Sequence, residues 1–197
     1  MAKAISLNDV ISNTESSAER PSLLLHCCCA PCASYVLEHL APYFTITTIY
    51  CETNIFPEAE YAKRESELRR MLSMQEYMFV KDSIFVEYDN GTYDKISKIP
   101  MEAEGGHRCA ECFASRLKEV AFWSAVGQQD YFATTLTISP HKNAQLINAI
   151  GGAISKVVSA DYLISDFKKH AGYQRSIELS KQYGLYRQQY CGCVPQR

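Results

Sequence analysis

The sequence predicts an α/β fold with a parallel, doubly wound, Rossmann-like sheet in a single domain. Short apolar segments rich in β-branched residues alternate with longer amphipathic segments, and parallel neighbouring strands require crossover connections that are usually helices. The chain has 197 residues, 47% of them hydrophobic and 21% charged, which is typical of one globular domain. No internal repeat or low-complexity segment interrupts this pattern.

The first half of the pattern begins with Ser22–His26, a mostly apolar run that predicts a buried strand. Helical spacing then predicts a helix over Ala33–Leu40, and the β-branched and aromatic run Phe44–Tyr50 predicts a second strand. Pro57 is favourable in a first helical turn, so a charged amphipathic helix is expected from Pro57 to about Met71.

In the middle of the chain, Ser83–Tyr88 is expected to form a short strand. The Asn90-Gly-Thr segment that follows is expected to be irregular. A long helix is predicted over Arg108–Val126, with Gly127 as its C-cap.

The last third repeats the alternation. Strands are expected at Tyr131–Leu136 and Tyr162–Ser165. Helices are expected at Pro140–Gly151 and at Arg175–Tyr183, the second closed by Gly184.

Residues 1–20 are polar and are expected to be a flexible lead-in, with one catalytic domain over 21–197. The chain contains no apolar run near the ~20 residues of a bilayer span, and its first 20 residues do not resemble a secretory signal. We therefore expect a cytoplasmic protein without a membrane partner. The net charge is −2, but the segment from Asp166 to Arg197 holds six basic and two acidic side chains, which suits a phosphate-bearing partner or a solvated surface equally.

Three polar segments follow predicted strands and are expected to meet at one edge of the sheet. They are the cysteines after the first strand, residues 51–57 after the second, and residues 134–143 around the end of a later one. Sites in doubly wound sheets form beyond the carboxyl ends of the strands, where the strand order reverses. This edge is the predicted site.

The chain has nine cysteines, an odd number that favours metal or redox chemistry over a disulfide framework. Eight of them fall into three tight clusters. The nine are Cys27, Cys28, Cys29, Cys32, Cys51, Cys109, Cys112, Cys191 and Cys193.

Two of the clusters have the spacing of metal ligands. Cys28, Cys29 and Cys32 lie at a predicted helix N-terminus, which favours thiolates, and Cys109-x-x-Cys112 opens the long helix. Two such pairs provide the four thiolates of a zinc site or a 4Fe-4S cluster, and ligand type alone does not separate these metals. Inert buried thiols and catalytic disulfide chemistry are the alternatives.

The remaining cysteines differ in character. Cys191-Gly-Cys193 near the chain end suggests a redox-active or loosely bound pair, or chance cysteines in a tail. Cys27 ends a strand and should point away from Cys28, so Cys27 is expected to be structural, as is Cys51.

Seven motifs together resemble the QueH-type epoxyqueuosine reductases, in register from about Leu23 to Cys193. The motifs are His26-x-Cys-Cys-Ala-Pro-Cys32, Asn54-Ile-x-Pro57, Arg108-Cys-x-x-Cys-x-x-x-Arg-Leu117, Thr134-Thr-Leu-Thr-Ile-Ser-Pro-His-Lys-Asn143, Asp166-Phe-Lys-Lys169, Gly172-Tyr173, and Leu185-Tyr-Arg-Gln188 with Tyr190-Cys-Gly-Cys193. One departure is Cys51-Glu52-Thr53, where the family more often has Asn or Asp and then Pro before Asn54.

The resemblance implies a fold related to the adenine nucleotide alpha hydrolases and an activity: reduction of epoxyqueuosine at the tRNA wobble position to queuosine, the last step of queuosine biosynthesis. It also implies that a 4Fe-4S cluster is bound. The implied cluster ligands are Cys28, Cys29, Cys109 and Cys112. Cys32 is then left for an additional iron that shares Cys29, and an external electron donor is required.

The resemblance leaves the proton donor and the RNA contacts to be sought among polar residues of the carboxyl edge. Proton-donor candidates are His141, Asp166 and Tyr173, with capping and ion-pairing roles as the alternatives. RNA-contact candidates are Asn54, Lys142, Lys168, Lys169, Arg175 and Arg187, with Tyr173, Tyr186 or Tyr190 available for base stacking.

Three further side chains have open roles. Arg108 and Arg116 flank the second cysteine pair, and they either stabilise anionic thiolates or pair with carboxylates. His26 is expected to be a buried histidine with satisfied hydrogen bonds.

Two other classes of protein remain as alternatives. A thiol-disulfide oxidoreductase would use Cys29-Ala-Pro-Cys32 and bind no metal. A structural-zinc RNA-binding module would hold zinc with four cysteines and have no open ligand position.

Overall fold

The computed structural model describes residues 2–15, 17, 19–52, 54–100 and 105–193. Within them, six strands form one entirely parallel sheet in the order β1-β6-β5-β2-β3-β4. The strands are β1 (Ala4–Ser6), β2 (Ser22–His26), β3 (Thr45–Tyr50), β4 (Asp82–Phe85), β5 (Tyr131–Thr134) and β6 (Asp161–Ile164).

Seven α-helices connect the strands in the described part of the chain. They are α1 (Leu7–Glu15), α2 (Ala30–Leu40), α3 (Glu58–Leu72), α4 (Asn90–Ser97), α5 (His107–Val126), α6 (Ala144–Ser155) and α7 (Gly172–Gln182). Short 3₁₀ helices form at Gln75–Tyr77 and Thr135–Ile138.

The helices cover both faces of the sheet, so the predicted doubly wound fold is confirmed. Leu23 and Leu25 pack with α1, α2 and α3 on one face, whereas Leu24 packs with α4, α5 and α6 on the other. This alternation follows from the two-residue period of a strand. Helix α7 packs against α2, on the side that α1 and α3 also cover.

The five strands expected from the sequence are present, with ends shifted by one or two residues in most cases. Helix α5 matches its prediction closely and ends at the C-cap Gly127. Helix α6 begins at Ala144, later than the expected Pro140, because the Asn143 side chain accepts a hydrogen bond from the Leu146 amide and caps the helix there.

The expectation that regular structure begins at Ser22 is wrong. Residues 4–6 form strand β1, which pairs with β6, and residues 7–15 form helix α1. Leu7 and Val10 are the apolar residues that α1 buries, and its other positions are mostly polar. This narrow apolar stripe is why the segment resembles a flexible lead-in.

The segment after β4 is also more regular than expected. Asn90–Ser97 forms helix α4, because the Asp89 side chain accepts a hydrogen bond from the Gly91 amide and caps the first turn. Among the described residues, no helix combines the length and the apolar character needed to cross a bilayer. Arg197 of the basic C-terminal segment and Thr53 lie outside the described residues.

Strand β2 lies between β3 and β5: from β2 the chain builds the sheet outward through β3 and β4, and it then crosses back to add β5 and β6 on the other side of β2. The carboxyl ends of β2 and β5 therefore form the switch point at which doubly wound folds place their sites. The first cysteine cluster follows β2 at this point.

Candidate functional site

The first cysteine cluster occupies the turn between β2 and α2. Cys29 is the N-cap of α2, which places Cys32 in the first helical turn. The thiols of Cys28, Cys29 and Cys32 lie within 4.8 Å of one another, close enough to share one metal ion. Among the described residues, this is the group of cysteine, histidine and carboxylate side chains that meets that distance.

Cys27 and Cys28 point to opposite faces of the sheet, as expected for neighbours at a strand end. Cys27 is fully buried among the residues of the α1, α2 and α3 side, whereas Cys28 packs on the α5 side. Cys51 is buried and packs on the α5 side as well. The prediction that Cys27 points away from Cys28 is therefore confirmed.

Hydrogen bonds polarise the three clustered thiols unequally. The Cys28 and Cys32 thiols donate toward Cys29 Sγ, and these bonds lower the pKa of Cys29 well below its usual value. The Gln188 Nε2 amide, 3.2 Å from Cys29 Sγ, acts in the same direction. Hydrogen bonds to Cys28 and Cys29, followed by burial, raise the pKa of Cys32. Cys29 is therefore the favoured thiolate of the group.

Cys28 has its own partner at the start of the 3₁₀ turn after β5. The Thr135 hydroxyl accepts a hydrogen bond from the Cys28 amide at 3.1 Å and donates one to Cys28 Sγ at 3.3 Å. The β5 end thus fixes both the backbone and the sulfur of Cys28.

The second cysteine pair lies in the first turns of α5, on the same side of the sheet as Cys28 and Cys29. Cys112 is buried and Cys109 is partly buried, and both pack against the apolar cluster that contains Cys28. The Asn54 amide Nδ2 donates a hydrogen bond to Cys112 Sγ at 2.7 Å. The fold therefore brings the two predicted ligand pairs to one region.

A buried polar network links this region to the strand ends. His26 is fully buried; its Nδ1 lies 2.8 Å from Thr134 Oγ1 and its Nε2 lies 2.6 Å from Glu52 Oε1. Glu52 Oε2 is 2.5 Å from Arg116 Nη1, and Arg116 Nε donates to Asn54 Oδ1 at 2.9 Å. The expectation that His26 is buried with satisfied hydrogen bonds is confirmed.

Arg116 has one donor that the network does not use. Within the described part of the chain, Arg116 Nη2 is buried without a hydrogen-bond partner, although the side chain lines a cavity. A buried cation with a free donor is stabilised by a negatively charged occupant of that cavity. Thiolate-bound iron-sulfur clusters carry such charge, so the donor set and this arginine fit the group that the sequence implies.

This cavity, called here the cysteine cavity, has a volume of ≈ 400 Å³ and is open to the thiols of Cys28, Cys32 and Cys191. Basic and aromatic side chains supply much of its polar wall. Among them are Arg64, Arg116, His141, Lys142, Tyr173, Arg187 and Tyr190. The chemistry of the cavity therefore suits an anionic, partly aromatic ligand.

Tyr190 and Cys191 of the tail segment 190–193 line the cysteine cavity, and the segment is held through its main chain. Arg64 donates to the carbonyl oxygens of Tyr190 and Cys191 at 3.1 and 3.2 Å. Arg108 Nη2 donates to the Cys193 carbonyl at 2.6 Å, and the Phe56 amide donates to the Gly192 carbonyl at 2.8 Å. Arg108 therefore anchors the tail.

Gly192 allows this close docking. Its φ is +92°, a conformation that favours glycine, and a Cβ there would lie 3.1 Å from Ile55 and 3.2 Å from Arg64. A hydrogen bond from Cys193, with the charges of Lys142 and Arg116, lowers the pKa of Cys191 well below its usual value. Cys191, which lines the same cavity as Cys28 and Cys32, is thus the favoured thiolate of the Cys191–Cys193 pair.

Five of the proton-donor, RNA-contact and base-stacking candidates line the cysteine cavity: His141, Lys142, Tyr173, Arg187 and Tyr190. Three others lie elsewhere. Asp166 and Lys169 line a second cavity, and Arg175 pairs with Glu38 on the exposed surface.

The side chains of two further RNA-contact candidates are bonded to other residues of the protein. Lys168 forms an ion pair with Asp166 at 2.9 Å. Asn54 is fully buried, and both ends of its amide bond to Cys112 and Arg116, so the expected RNA contact by Asn54 is corrected to an internal role.

No individual role was predicted from the sequence for Arg64, Glu52, Thr135 or Gln188. Glu52 follows β3 as the cysteines follow β2, so its position at the same edge was the available signal. Arg64 lies in the middle of a highly charged helix, where nothing in the local pattern distinguishes the one buried arginine.

Comparison with known proteins gives the family. A model of the family described as epoxyqueuosine reductase QueH matches residues 23–196. The epoxyqueuosine reductase QueH of Streptococcus pyogenes serotype M1 is 43% identical over 183 residues, covering 91% of this chain and 72% of that protein. The epoxyqueuosine reductase QueH of Staphylococcus epidermidis is 42% identical over 201 residues, covering 95% of this chain and 81% of that protein.

A more distant relative shows the same relationship. The epoxyqueuosine reductase QueH of Thermotoga maritima is 30% identical over 175 residues, which is 88% of each chain. Because the family model spans almost the whole chain and relatives match it over most of their length, the chain belongs to the QueH family of epoxyqueuosine reductases.

Proposed function

We propose that this chain reduces epoxyqueuosine in tRNA to queuosine, as the last step of queuosine biosynthesis. Family membership supports the activity. The observation that supports it in the structure is a cavity that joins clustered thiols to basic and aromatic side chains. Because the substrate is tRNA, the cytoplasm is the proposed site of action.

The reaction is a two-electron deoxygenation. The epoxide oxygen leaves as water, both of its C–O bonds break, and a C=C bond forms between the two ring carbons. Two electrons and two protons are consumed, and the electrons come from an external reductant. The site must therefore bind the modified base, admit electrons and deliver protons.

The proposed cofactors are a 4Fe-4S cluster held by Cys28, Cys29, Cys109 and Cys112, and an additional iron held by Cys32 together with Cys29. When bound, these groups would supply electrons one at a time and a Lewis acid for the departing oxygen. The mutual approach of Cys28, Cys29 and Cys32 and the shared apolar packing of Cys109 and Cys112 support this assignment.

The protein side chains position the substrate. Lys142 and Arg187 line the cysteine cavity and can neutralise anticodon phosphates, while Tyr173 and Tyr190 offer faces for a splayed base. His141 and Tyr173 are the proposed proton donors because both reach the cavity. Asp166 is not retained as a donor, since it lines a different cavity.

Cys191 and Cys193 are proposed to relay the reducing equivalents. Oxidation of two thiols to one disulfide releases two electrons and two protons, which is what the deoxygenation consumes. The external donor then returns the disulfide to two thiols. The position of Cys191 on the cavity wall and its lowered pKa support this role.

One observation favours the thiol-disulfide alternative. A lowered pKa at Cys29 beside a raised pKa at Cys32 is the pattern expected of a C-x-x-C redox pair. That function, however, leaves Cys28 without a role inside the same three-thiol group.

Anaerobic purification with iron, sulfide and zinc quantification, followed by incubation with epoxyqueuosine-tRNA and a reductant, tests the proposal. We expect more than about four irons per chain, an absorption band near roughly 400 nm that dithionite bleaches, and queuosine in the product tRNA. A colourless protein with stoichiometric zinc and no sulfide would contradict the reductase and favour the structural-zinc module. A metal-free protein that reduces disulfides would favour the redox pair.

A further inference from the structure

A second cavity of ≈ 450 Å³ opens at the same edge of the sheet as the cysteine cavity, beyond the ends of β1 and β6. Its volume is within the range of about 300–1,000 Å³ typical of small-ligand sites. Side chains from α1, α2, α6 and the loop after β6 line it. The lining residues used below are Tyr35, His39, Asp166, Phe167, Lys169 and His170.

Aromatic rings form one wall of this second cavity. Tyr35 and His39 are stacked, with ring centroids 5.6 Å apart and an interplanar angle of 18°. Phe167 meets His39 edge-on at 6.2 Å and 77°. Burial, with the nearby His170, lowers the pKa of His39, so its ring is neutral at neutral pH. A flat, uncharged aromatic wall is the surface on which an unpaired base stacks.

The rim of the second cavity is basic. Asp166, the acidic side chain on the cavity wall, is already paired with Lys168 at 2.9 Å. Lys169 and His170 are exposed at the rim. A phosphate group placed there would face basic side chains without competition from a free carboxylate.

The backbone holds this rim in an unusual conformation. His170 and Ala171 have φ of +51° and +60°, a left-handed region that non-glycine residues rarely adopt. Gly172 follows, and a Cβ there would lie 2.0 Å from the Phe167 carbonyl oxygen and 2.4 Å from the Tyr35 ring. The loop is thus packed tightly on its own aromatic wall, and strain of this kind concentrates at binding sites.

The two cavities share this loop. Asp166, Phe167, Lys169 and His170 line the second cavity, and Tyr173, immediately after Gly172, lines the cysteine cavity. Strands β2 and β6 are separated by β5 alone, which sets their carboxyl ends about 10 Å apart. A single extended strand of nucleic acid can span this distance within a few nucleotides.

We propose that the second cavity binds a nucleotide that flanks the modified one in the same tRNA, with its base against Tyr35 and His39 and its phosphate at Lys169 and His170. This inference rests on the proposed tRNA substrate, and it adds a second point of recognition to it. The flanking base is splayed out of the anticodon loop as the modified base is.

Binding of anticodon stem-loop RNAs, in which one loop nucleotide at a time is replaced by an abasic residue, tests this subsite. For the unaltered protein, we expect a loss of affinity at the modified position and a further loss of about five-fold or more at one flanking position. In His39→Ala, the flanking penalty should disappear while the penalty at the modified position stays. Lys169→Ala removes the proposed phosphate contact instead, so it should weaken binding of every one of these RNAs and reduce the slope of log K against log salt by about 0.7.

Lys156→Ala is the matched control, because it removes one exposed positive charge at the end of α6, on the opposite edge of the sheet. It should leave both penalties unchanged. Lys169 is itself exposed, so its replacement tests the subsite without disturbing the core, and thermal unfolding checks the fold of the His39 variant.

The outcomes separate the two proposals. A penalty at the modified position, with no flanking penalty that depends on His39 and no change of the salt slope in Lys169→Ala, would overturn the second subsite and leave the proposed function intact. RNA that does not bind at any salt concentration would overturn the proposed function, and the subsite with it.

Discussion

Glu52 and Arg116 form an ion pair of 2.5 Å in the interior, with side chains 1% and 4% exposed. His26 holds the other oxygen of the same carboxylate, and Arg116 in turn holds Asn54, which reaches Cys112. The pair therefore connects the end of the first cysteine strand to the second cysteine motif. Disruption of this ion pair should therefore disturb both the end of β2 and the region around Cys112.

Glu52→Gln should lower the free energy of unfolding of the metal-free, reduced protein by about 3 kcal/mol, because it leaves the Arg116 charge buried without a partner. Urea unfolding measures the change. Glu65→Gln removes an exposed i,i+4 partner of Arg69 and should change stability by about 0.5 kcal/mol or less. Equal losses in the two variants would contradict a structural role for the buried pair.

Cys28→Ala should abolish sulfide binding, and Cys32→Ala should keep the sulfide but lower the iron content by about one per chain. Both expectations follow from the proposed division of ligands. Iron and sulfide analysis after anaerobic reconstitution measures them. Cys27→Ala is the control, because Cys27 is buried on the other face of the sheet and its loss should leave both contents unchanged.

Gly192→Ala should slow epoxide reduction, because the new methyl group would press on Ile55 and Arg64 and displace the tail. Gly184→Ala provides the comparison: its φ is also positive, at +58°, but no atom lies within 4 Å of the added carbon. Each change should cost about 1–2 kcal/mol of stability. Single-turnover rates should fall in the Gly192 variant alone, and similar rates in both would argue against a role for tail docking.

Arg187→Gln should weaken tRNA binding and reduce the slope of log K against log salt by about 0.7, the value for one lost contact to a single-stranded phosphate. Arg187 is exposed at the cysteine cavity. Arg175→Gln should leave the slope unchanged, since Arg175 is paired with Glu38 at 2.9 Å. Titration of tRNA binding against salt concentration measures the slope for both variants. An equal decrease in Arg175→Gln would show that Arg175 also contacts the RNA.

Local patterns were sufficient for most of the fold. Strand β2 and helix α5 were predicted because an apolar run and a glycine C-cap are visible within a few residues. Strand β1 and helix α1 were missed, because three residues of strand and a narrow apolar stripe become stable only through pairing with β6. Their stability is a property of the tertiary structure.

In the candidate site, too, features set by local spacing were predicted, whereas features that depend on contacts between distant residues were not. The clustering of Cys28, Cys29 and Cys32 follows from their spacing in one turn and was predicted. The internal role of Asn54 was not, because it depends on Cys112 and Arg116, which are about 60 positions away in the chain. The departure at Glu52 from the family pattern likewise gains meaning only once His26 and Arg116 are seen to meet there.

The tail from Tyr190 to Cys193 is anchored through its carbonyl oxygens, by Arg64, Arg108 and the Phe56 amide. None of these bonds uses a sulfur atom. Attachment of the tail therefore does not depend on its thiols, and the redox role proposed for Cys191 does not require the backbone contacts of the tail to break. The backbone of this segment is therefore fixed as firmly as that of a buried loop, while its two sulfur atoms take no part in the anchoring bonds.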